Sequence, residues 1–415
     1  MDRYVAVDGR RLRCGVTTGS CASAAAAAAA ELLLMGEAPD AVELSVPAGG
    51  RVRIPVVGRA RSAGAASCAV RKDAGDDPDV TDGVEIWADV SLRRAPGIEI
   101  EGGEGVGRVT LPGLDQPVGS AAINSVPRRM IRSAVGAVCA RAQSDAGLKV
   151  VIRIPAGAEL AKRTFNPRMG IVGGLSVLGT SGIVEPMSER AMVDSIRLEA
   201  RQRAALGRRT ALLTPGNYGR DFLRDHWGVS GEAAIRCSNF IGDLIDCCVE
   251  LGFERILLAG HLGKLVKLAG NVFNTHSRYG DCRMDILTAH AAMCGATREQ
   301  ARQMMRCATV DAALDVLEGP RRAEPGCSPC GVADGEGVRG DEAAGGAERE
   351  GALRRSSGSP LARETVQSIL MAVRANLQAR AGRPVAVALF TNARGLLARS
   401  EDFEGALAQF REEEK

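Results

Sequence analysis

The residues with the most obvious chemical use sit in glycine-punctuated stretches. Residues 165–186, FNPRMGIVGGLSVLGTSGIVEP, hold five glycines set among β-branched and leucine residues. Glycine lets backbone run close to a ligand or take a positive φ that a side chain forbids, so the stretch reads as a ligand-facing wall. The same composition fits two short buried strands joined by tight turns, with Ile171, Val172, Val177, Leu178, Ile183 and Val184 packed on both sides. GHLGK at 260–264 invites a phosphate-loop reading, but its glycine spacing does not fit GxxxxGK[ST] and Leu265 stands where the hydroxyl belongs. What remains is a basic set, Lys264, Lys267, Arg278 and Arg283, beside Asn271, Asn274, Thr275, His276 and Ser277. GGEGVGR at 102–108 fails the GxGxxG pattern, because Arg108 takes the place of the third glycine. Arg128 and Arg129 fall at a helix start, where they oppose the macrodipole. They point either to an acidic partner or to a solvated pair.

Several elements must position these residues. Thr17, Thr18 and Ser20 can cap a helix over the alanine-rich run that follows, stopped by Gly36, and that N-terminus either holds an anion or simply caps a core helix. The runs 42–46 and 52–57 around Pro47–Gly50 predict a hairpin, with further strands at 84–90, 98–100 and 150–154. Asp73, Asp76, Asp77, Asp79 and Asp82 form an acidic loop without EF-hand spacing, expected to be a solvated turn. Helices are expected from Asn124 to about Gln143 and from Ser188 to about Leu206.

Beyond Leu206 strands and helices alternate, with strands at 210–214, 234–237, 255–260 and 385–390. Such alternation argues for a parallel sheet, whose ligands sit at the carboxyl ends of the strands. Here those ends carry Gly216–Asn217–Tyr218–Gly219, Ser238–Asn239 and Gly260–His261. Helices are expected near 284–294, with His290 as a packing residue, and near 361–380. The fold expected is α/β: an α+β N-terminal domain over 1–187, a linking helix over 188–208, and a Rossmann-like α/β C-terminal domain over 209–318 and 361–400. A Gly-, Ala-, Glu- and Arg-rich segment, 319–360, is expected to be a disordered insertion, and 401–415 a solvated tail.

Composition narrows the function. At 415 residues, 45% hydrophobic and 25% charged, the chain is of ordinary globular type and long enough for two domains. A formal net charge of +3 and 3% aromatic residues argue against nucleic-acid binding. Twelve scattered cysteines read as reduced thiols in a cytoplasmic protein, with Cys327 and Cys330 an incidental pair. No run reaches transmembrane length, because Glu31 interrupts the alanine stretch. The four histidines show no metal-binding spacing. No membrane contact is expected, and a homo-oligomer stays possible.

Taken in order, CGVTTG at 14–19, GGEGVGR at 102–108, AINSVPRR at 122–129, residues 164–188, GNYG at 216–219, CSNF at 237–240, GHLGKLVKLAG at 260–270 and NTHSRYGDCRM at 274–284 resemble the cobalt-precorrin-5B C1-methyltransferases of anaerobic cobalamin biosynthesis, the CbiD family. The motifs cover almost everything outside 319–360. That insertion departs from the family pattern, as does Val16 where an aromatic residue is expected.

The resemblance implies methyl transfer from S-adenosylmethionine to ring carbon C1 of cobalt-precorrin-5B, giving cobalt-precorrin-6A and S-adenosylhomocysteine, on two α/β domains with the active site in the cleft between them. Cobalt then belongs to the substrate, and no protein metal site is needed. The expected cosubstrate contacts are Gly173, Gly174, Gly179, Thr180, Gly216, Asn217 and Gly260, with Asn166 as a further polar contact of the wall. The macrocycle's acetates and propionates call for dispersed donors, supplied by Arg128, Arg129, Lys162, Arg163, Arg168, Lys264, Lys267, Arg278 and Arg283. A ring proton must also leave, and His261 is the expected base, with Glu185 or His276 as substitutes. A noncatalytic corrinoid carrier or chaperone, and a phosphate-loop small-molecule kinase, are the alternatives.

Overall fold

The computed structural model describes residues 3–319 and 359–415. The expected insertion at 319–360, apart from its end residues, and Cys327 and Cys330 lie outside the described residues. The chain divides into two compact units, Met1–Gly207 and Arg208–Lys415.

In the first unit the strands Ala41–Ser45, Arg51–Ser62, Ala65–Arg71, Glu85–Arg93, Gly147–Arg153 and Ile98–Gly102 lie side by side in that order. All neighbours are antiparallel except the last two, which run parallel. Arg51–Ser62 alternates strictly at its start: Val52, Ile54 and Val56 face the core while Arg51, Arg53 and Pro55 face out, as a sheet with one solvated face requires. The covered face carries the alanine helix Thr18–Met35, itself packed against the helix Ser125–Arg141. A helix of alanines has no bulky face, so it can approach a sheet and a second helix closely, and Ala24 to Ala30 are all buried. Thr17 Oγ1 accepts the Ser20 N–H at 3.2 Å and Gly36 ends the helix in the left-handed region. Contrary to the reading that Glu31 breaks the apolar run, this helix continues to Met35 and is long and apolar enough to cross a membrane; 78% of that window is buried within the protein.

The acidic loop is ordered. Its carboxylates are tied to protein donors: Asp73 and Asp76 to Arg13, Asp77 to the Met187 N–H, Asp79 to Lys72 at 2.7 Å and Asp82 to the Ala74 N–H. Asp73, Asp76 and Asp82 are exposed, as a solvated turn requires, while the Lys72 side chain beneath them is 2% exposed. The helix Glu189–Ala205, expected to link two domains, belongs to the first unit. Gln202 anchors it there by donating to the Met169 carbonyl at 2.6 Å.

The second unit is built on a sheet of order Ile235–Arg236, Thr210–Thr214, Arg255–His261, Val385–Thr391, Gly395–Arg399. The first four are parallel and the last is antiparallel. Thr210–Thr214 and Val385–Thr391 are buried at every position, the continuous pattern of strands covered on both faces. The helices Asn217–Trp227 and Phe403–Glu414 cover one face, with Leu223, Trp227, Phe403, Leu407 and Phe410 against Leu212, Leu257 and Ala388. Residues 401–415 are therefore not a solvated tail. Glu413 accepts the Thr210 N–H at 3.0 Å and the Thr210 hydroxyl at 2.7 Å, which fixes the helix to the start of a central strand.

Candidate functional site

In the first unit the glycine wall is mostly interlocked backbone. A Cβ on Gly174 would stand 2.2 Å from the Gly105 carbonyl oxygen, and one on Gly105 1.8 Å from that of Ile154. The two glycine motifs thus interlock with each other, and the side of Gly174 expected to meet a cosubstrate is filled by protein. Gly179 is filled in the same way, by the Thr17 side chain. The turn at 178–182 also closes the N-terminus of the alanine helix. Thr18 Oγ1 accepts the Leu178 N–H at 2.9 Å and Ser20 Oγ donates to the Gly182 carbonyl at 2.6 Å, so this helix start offers no anion site.

What the wall leaves open is largely apolar. Gly173 has nothing within 4 Å of its missing side chain, and Thr180 is exposed. Val172 and Leu178, expected to bury, are 57% and 49% exposed, and Phe165 is 60% exposed. The wall's polar residues have partners: Asn166 accepts the Ser176 hydroxyl at 3.2 Å, and Glu185 pairs with Arg3 at 3.2 Å.

The basic residues of this unit differ in role. Arg128 donates Nε to the Ile123 carbonyl at 2.8 Å, Nη1 to Ile100 at 2.9 Å and Nη2 towards Ala121 at 3.5 Å. It thereby clamps backbone, a role other than the substrate contact expected of it. Arg129 is exposed, and its charge acts on Asp115 only as the smallest of several influences. Burial opposes ionisation of Asp115, but bonds from Gln116 and Ser125 together with Arg129 hold its carboxyl below the usual range. Lys162 pairs with Glu159 at 2.7 Å on the surface, and Arg163 and Arg168 are exposed.

In the second unit the strand order reverses beside Thr210–Thr214. The chain first adds Ile235–Arg236 on one side of that strand and then Arg255–His261 on the other. Ligand crevices in such sheets open outside the carboxyl ends of the strands at that reversal. Gly216, in extended backbone, precedes the helix Asn217–Trp227, which has no side-chain cap and no acidic residue in its first turn. Nothing lies within 4 Å of a Cβ on Gly216, and Asn217 and Tyr218 are exposed. Gly260, by contrast, is a packing glycine, its open side filled by Leu265 and Pro215.

Ser238, with a left-handed φ of 51°, turns the chain so that Asn239 faces the neighbouring loops. Such a conformation is uncommon for serine. Asn239 Oδ1 accepts from Lys264 Nζ at 3.1 Å and from the Thr275 hydroxyl at 3.2 Å. Lys267 is 3% exposed, its ammonium donating to the Thr275 and Gly280 carbonyls at 3.1 and 2.8 Å, so it braces the 275–280 loop and is not open to a substrate. Arg283 forks onto Asp281 at 2.6 Å, and Arg278 is exposed.

Both candidate histidines are helix caps. His261 Nδ1 accepts the Gly263 N–H at 3.0 Å and His276 Nδ1 accepts the Arg278 N–H at 3.2 Å. An imidazole whose Nδ1 lone pair is engaged carries its proton on Nε2. Each ring, so held, offers a donor where a base needs an acceptor, so the hydrogen bonds do not favour the role expected of His261 and its substitute His276. Burial pushes the His261 pKa down, against the opposing pull of Asp311. Sequence spacing carried no sign of these caps, of left-handed Ser238, or of Arg394, which pairs with Asp311, Asp315 and Glu318 just past the strand Val385–Thr391.

The CbiD family model matches residues 5–186 and the model of the CbiD C-terminal domain matches residues 274–325. A protein of Alkaliphilus metalliredigens (strain QYMF) named cobalt-precorrin-5B C(1)-methyltransferase is 47% identical over 318 residues, 77% of this chain and 84% of its own length. One of the same name from Ruminiclostridium cellulolyticum is 47% identical over 311 residues, 75% of this chain and 81% of its own. The crystal structure of a cobalamin biosynthesis protein (cbiD) from Archaeoglobus fulgidus is 28% identical, covering 66% of this chain and 87% of that one, at a TM-score of 0.37. The breadth and level of these matches identify the chain as a member of the CbiD family.

Proposed function

We propose that this chain transfers a methyl group from S-adenosylmethionine to C1 of cobalt-precorrin-5B in anaerobic cobalamin biosynthesis, giving cobalt-precorrin-6A and S-adenosylhomocysteine. The observation that carries the reading is identity of 47% across most of both chains to relatives of that name. The second unit acts as the Rossmann-like module, and the crevice at its strand-order reversal takes the cosubstrate. Gly216 and Asn217 suit that ligand. The open glycine allows close approach, and the uncapped N–H groups of the first helical turn favour a carboxylate. The sulfonium supplies an electrophilic methyl group, so the protein's task is to hold two large reactants in line. Such positioning lowers a barrier by roughly 7–11 kcal/mol.

In the first unit exposed Val172, Leu178 and Phe165 offer apolar surface for the flat macrocycle. Arg129, Arg163 and Arg168 stand exposed in the same unit for its carboxylates. Gly173 and Thr180 complete the open part of the wall. Cobalt enters and leaves as part of the substrate.

Calorimetric titration separates this reading from its alternatives. The protein should bind S-adenosylmethionine and neither ATP nor NAD. A corrinoid carrier would bind the macrocycle with no affinity for the sulfonium compound, and a kinase would prefer ATP.

A further inference from the structure

Replacing a ring hydrogen with the methyl group of a sulfonium releases one proton, and neither histidine expected to take it has a free acceptor. We infer that Lys264, held by Asn239 across the carboxyl end of the strand Thr210–Thr214, is the group that accepts this proton. The inference rests on the methyltransferase reading. Its geometry comes from the strand order. Asn239 follows the strand Ile235–Arg236, Lys264 follows Arg255–His261, and Thr210–Thr214 lies between them. The Nζ to Oδ1 bond of 3.1 Å therefore links the segments that follow the two strands flanking Thr210–Thr214, the strand that Gly216 itself follows.

The surroundings of Lys264 differ from those of a surface lysine. It is half-buried, and among the described residues it has no carboxylate partner. Burial lowers its pKa, and the Lys267 ammonium one turn along the same helix lowers it further. Cys237 pulls in the opposite sense, but burial pushes that thiol up to about 12, so it carries no charge at neutral pH. Lys267 cannot serve instead, because its ammonium is sealed between two carbonyls. A desolvated lysine beside a second cation is a recognised route to a neutral amine.

The step balances. The C1–methyl bond forms as the sulfur–methyl bond breaks, and that electron pair stays on sulfur as a thioether. The electron pair of the displaced ring hydrogen returns to the macrocycle, and its proton passes to the Lys264 amine, which becomes an ammonium.

Two measurements test this. Competitive acylation followed by mass spectrometry reads the protonation of Lys264 in the resting protein, independently of turnover; Lys264 should be acylated at a markedly lower pH than the surface Lys162. Single-turnover methylation should rise with pH in the wild type and fall by about 100-fold or more in Lys264→Arg, the range of general-base contributions. Lys264→Arg keeps a long donor at the same point but is permanently protonated and cannot accept a proton, and its fold is checked by circular dichroism. If Lys264 only paired with a substrate carboxylate, Lys264→Arg would turn over within threefold of wild type, and the inference would fail. A Lys264 acylation profile matching that of Lys162 would also overturn it, whether or not the variant folds. Absence of methylation by the wild type would instead sink the methyltransferase reading itself.

Discussion

Gly105→Ala should lower the thermal midpoint of the first unit by roughly 10 °C, corresponding to a loss of about 3 kcal/mol or more. Two costs combine. The residue adopts a φ of 69°, which a β-carbon disfavours, and that carbon would overlap the Ile154 carbonyl at 1.8 Å. The overlapping atom belongs to backbone, leading out of the sheet strand Gly147–Arg153, so it cannot swing aside as a side chain would. Gly173→Ala is the control. It shares a positive φ, 85°, but has open space around it, and should cost about 1 kcal/mol. Scanning calorimetry of the two variants separates interlocking from conformational strain. Equal midpoints would mean that the glycine motifs do not hold each other.

Arg128→Ala and Arg129→Ala should behave as opposites, although the residues are neighbours in one motif. Removing Arg128 strips a half-buried guanidinium from the carbonyls of Ile123, Ile100 and Ala121. Hydrogen bonds to charged groups contribute about 1.5–3 kcal/mol each, but Arg128 is only half-buried, so water replaces part of that contribution, and one of its three bonds is long; a stability loss of about 2–4 kcal/mol is therefore expected, with binding of both ligands falling as the fold weakens. Removing exposed Arg129 should leave the urea midpoint within about 0.5 kcal/mol of wild type. It should weaken corrinoid binding alone. An Arg128→Ala protein as stable as wild type would contradict the clamp.

The parts legible in the sequence were those governed by local pattern. The hairpin around Pro47–Gly50, the capped alanine helix and the strand Thr210–Thr214 follow from periodicity, caps and turn residues, and the structure places them where expected. The helix Phe403–Glu414 escaped because its acidic surface reads as a solvated end, while Phe403, Leu407 and Phe410 bury against a sheet distant in sequence. Residue type alone misjudged the site for the same reason. Gly174 and Gly216 are the same residue, yet one meets backbone and the other open space. Three basic residues, Arg128, Lys267 and Arg283, look like substrate donors until their partners are known. His261 looked like a base until its Nδ1 was found on the Gly263 N–H. Each outcome depends on a tertiary neighbour or hydrogen-bond direction that spacing does not encode.

The most direct test of the account is incubation of the full chain with cobalt-precorrin-5B and methyl-labelled S-adenosylmethionine, followed by mass spectrometry of the corrinoid. The account predicts gain of one labelled methyl group, located at C1, with stoichiometric S-adenosylhomocysteine. Recovery of the corrinoid bound but unmethylated would contradict it.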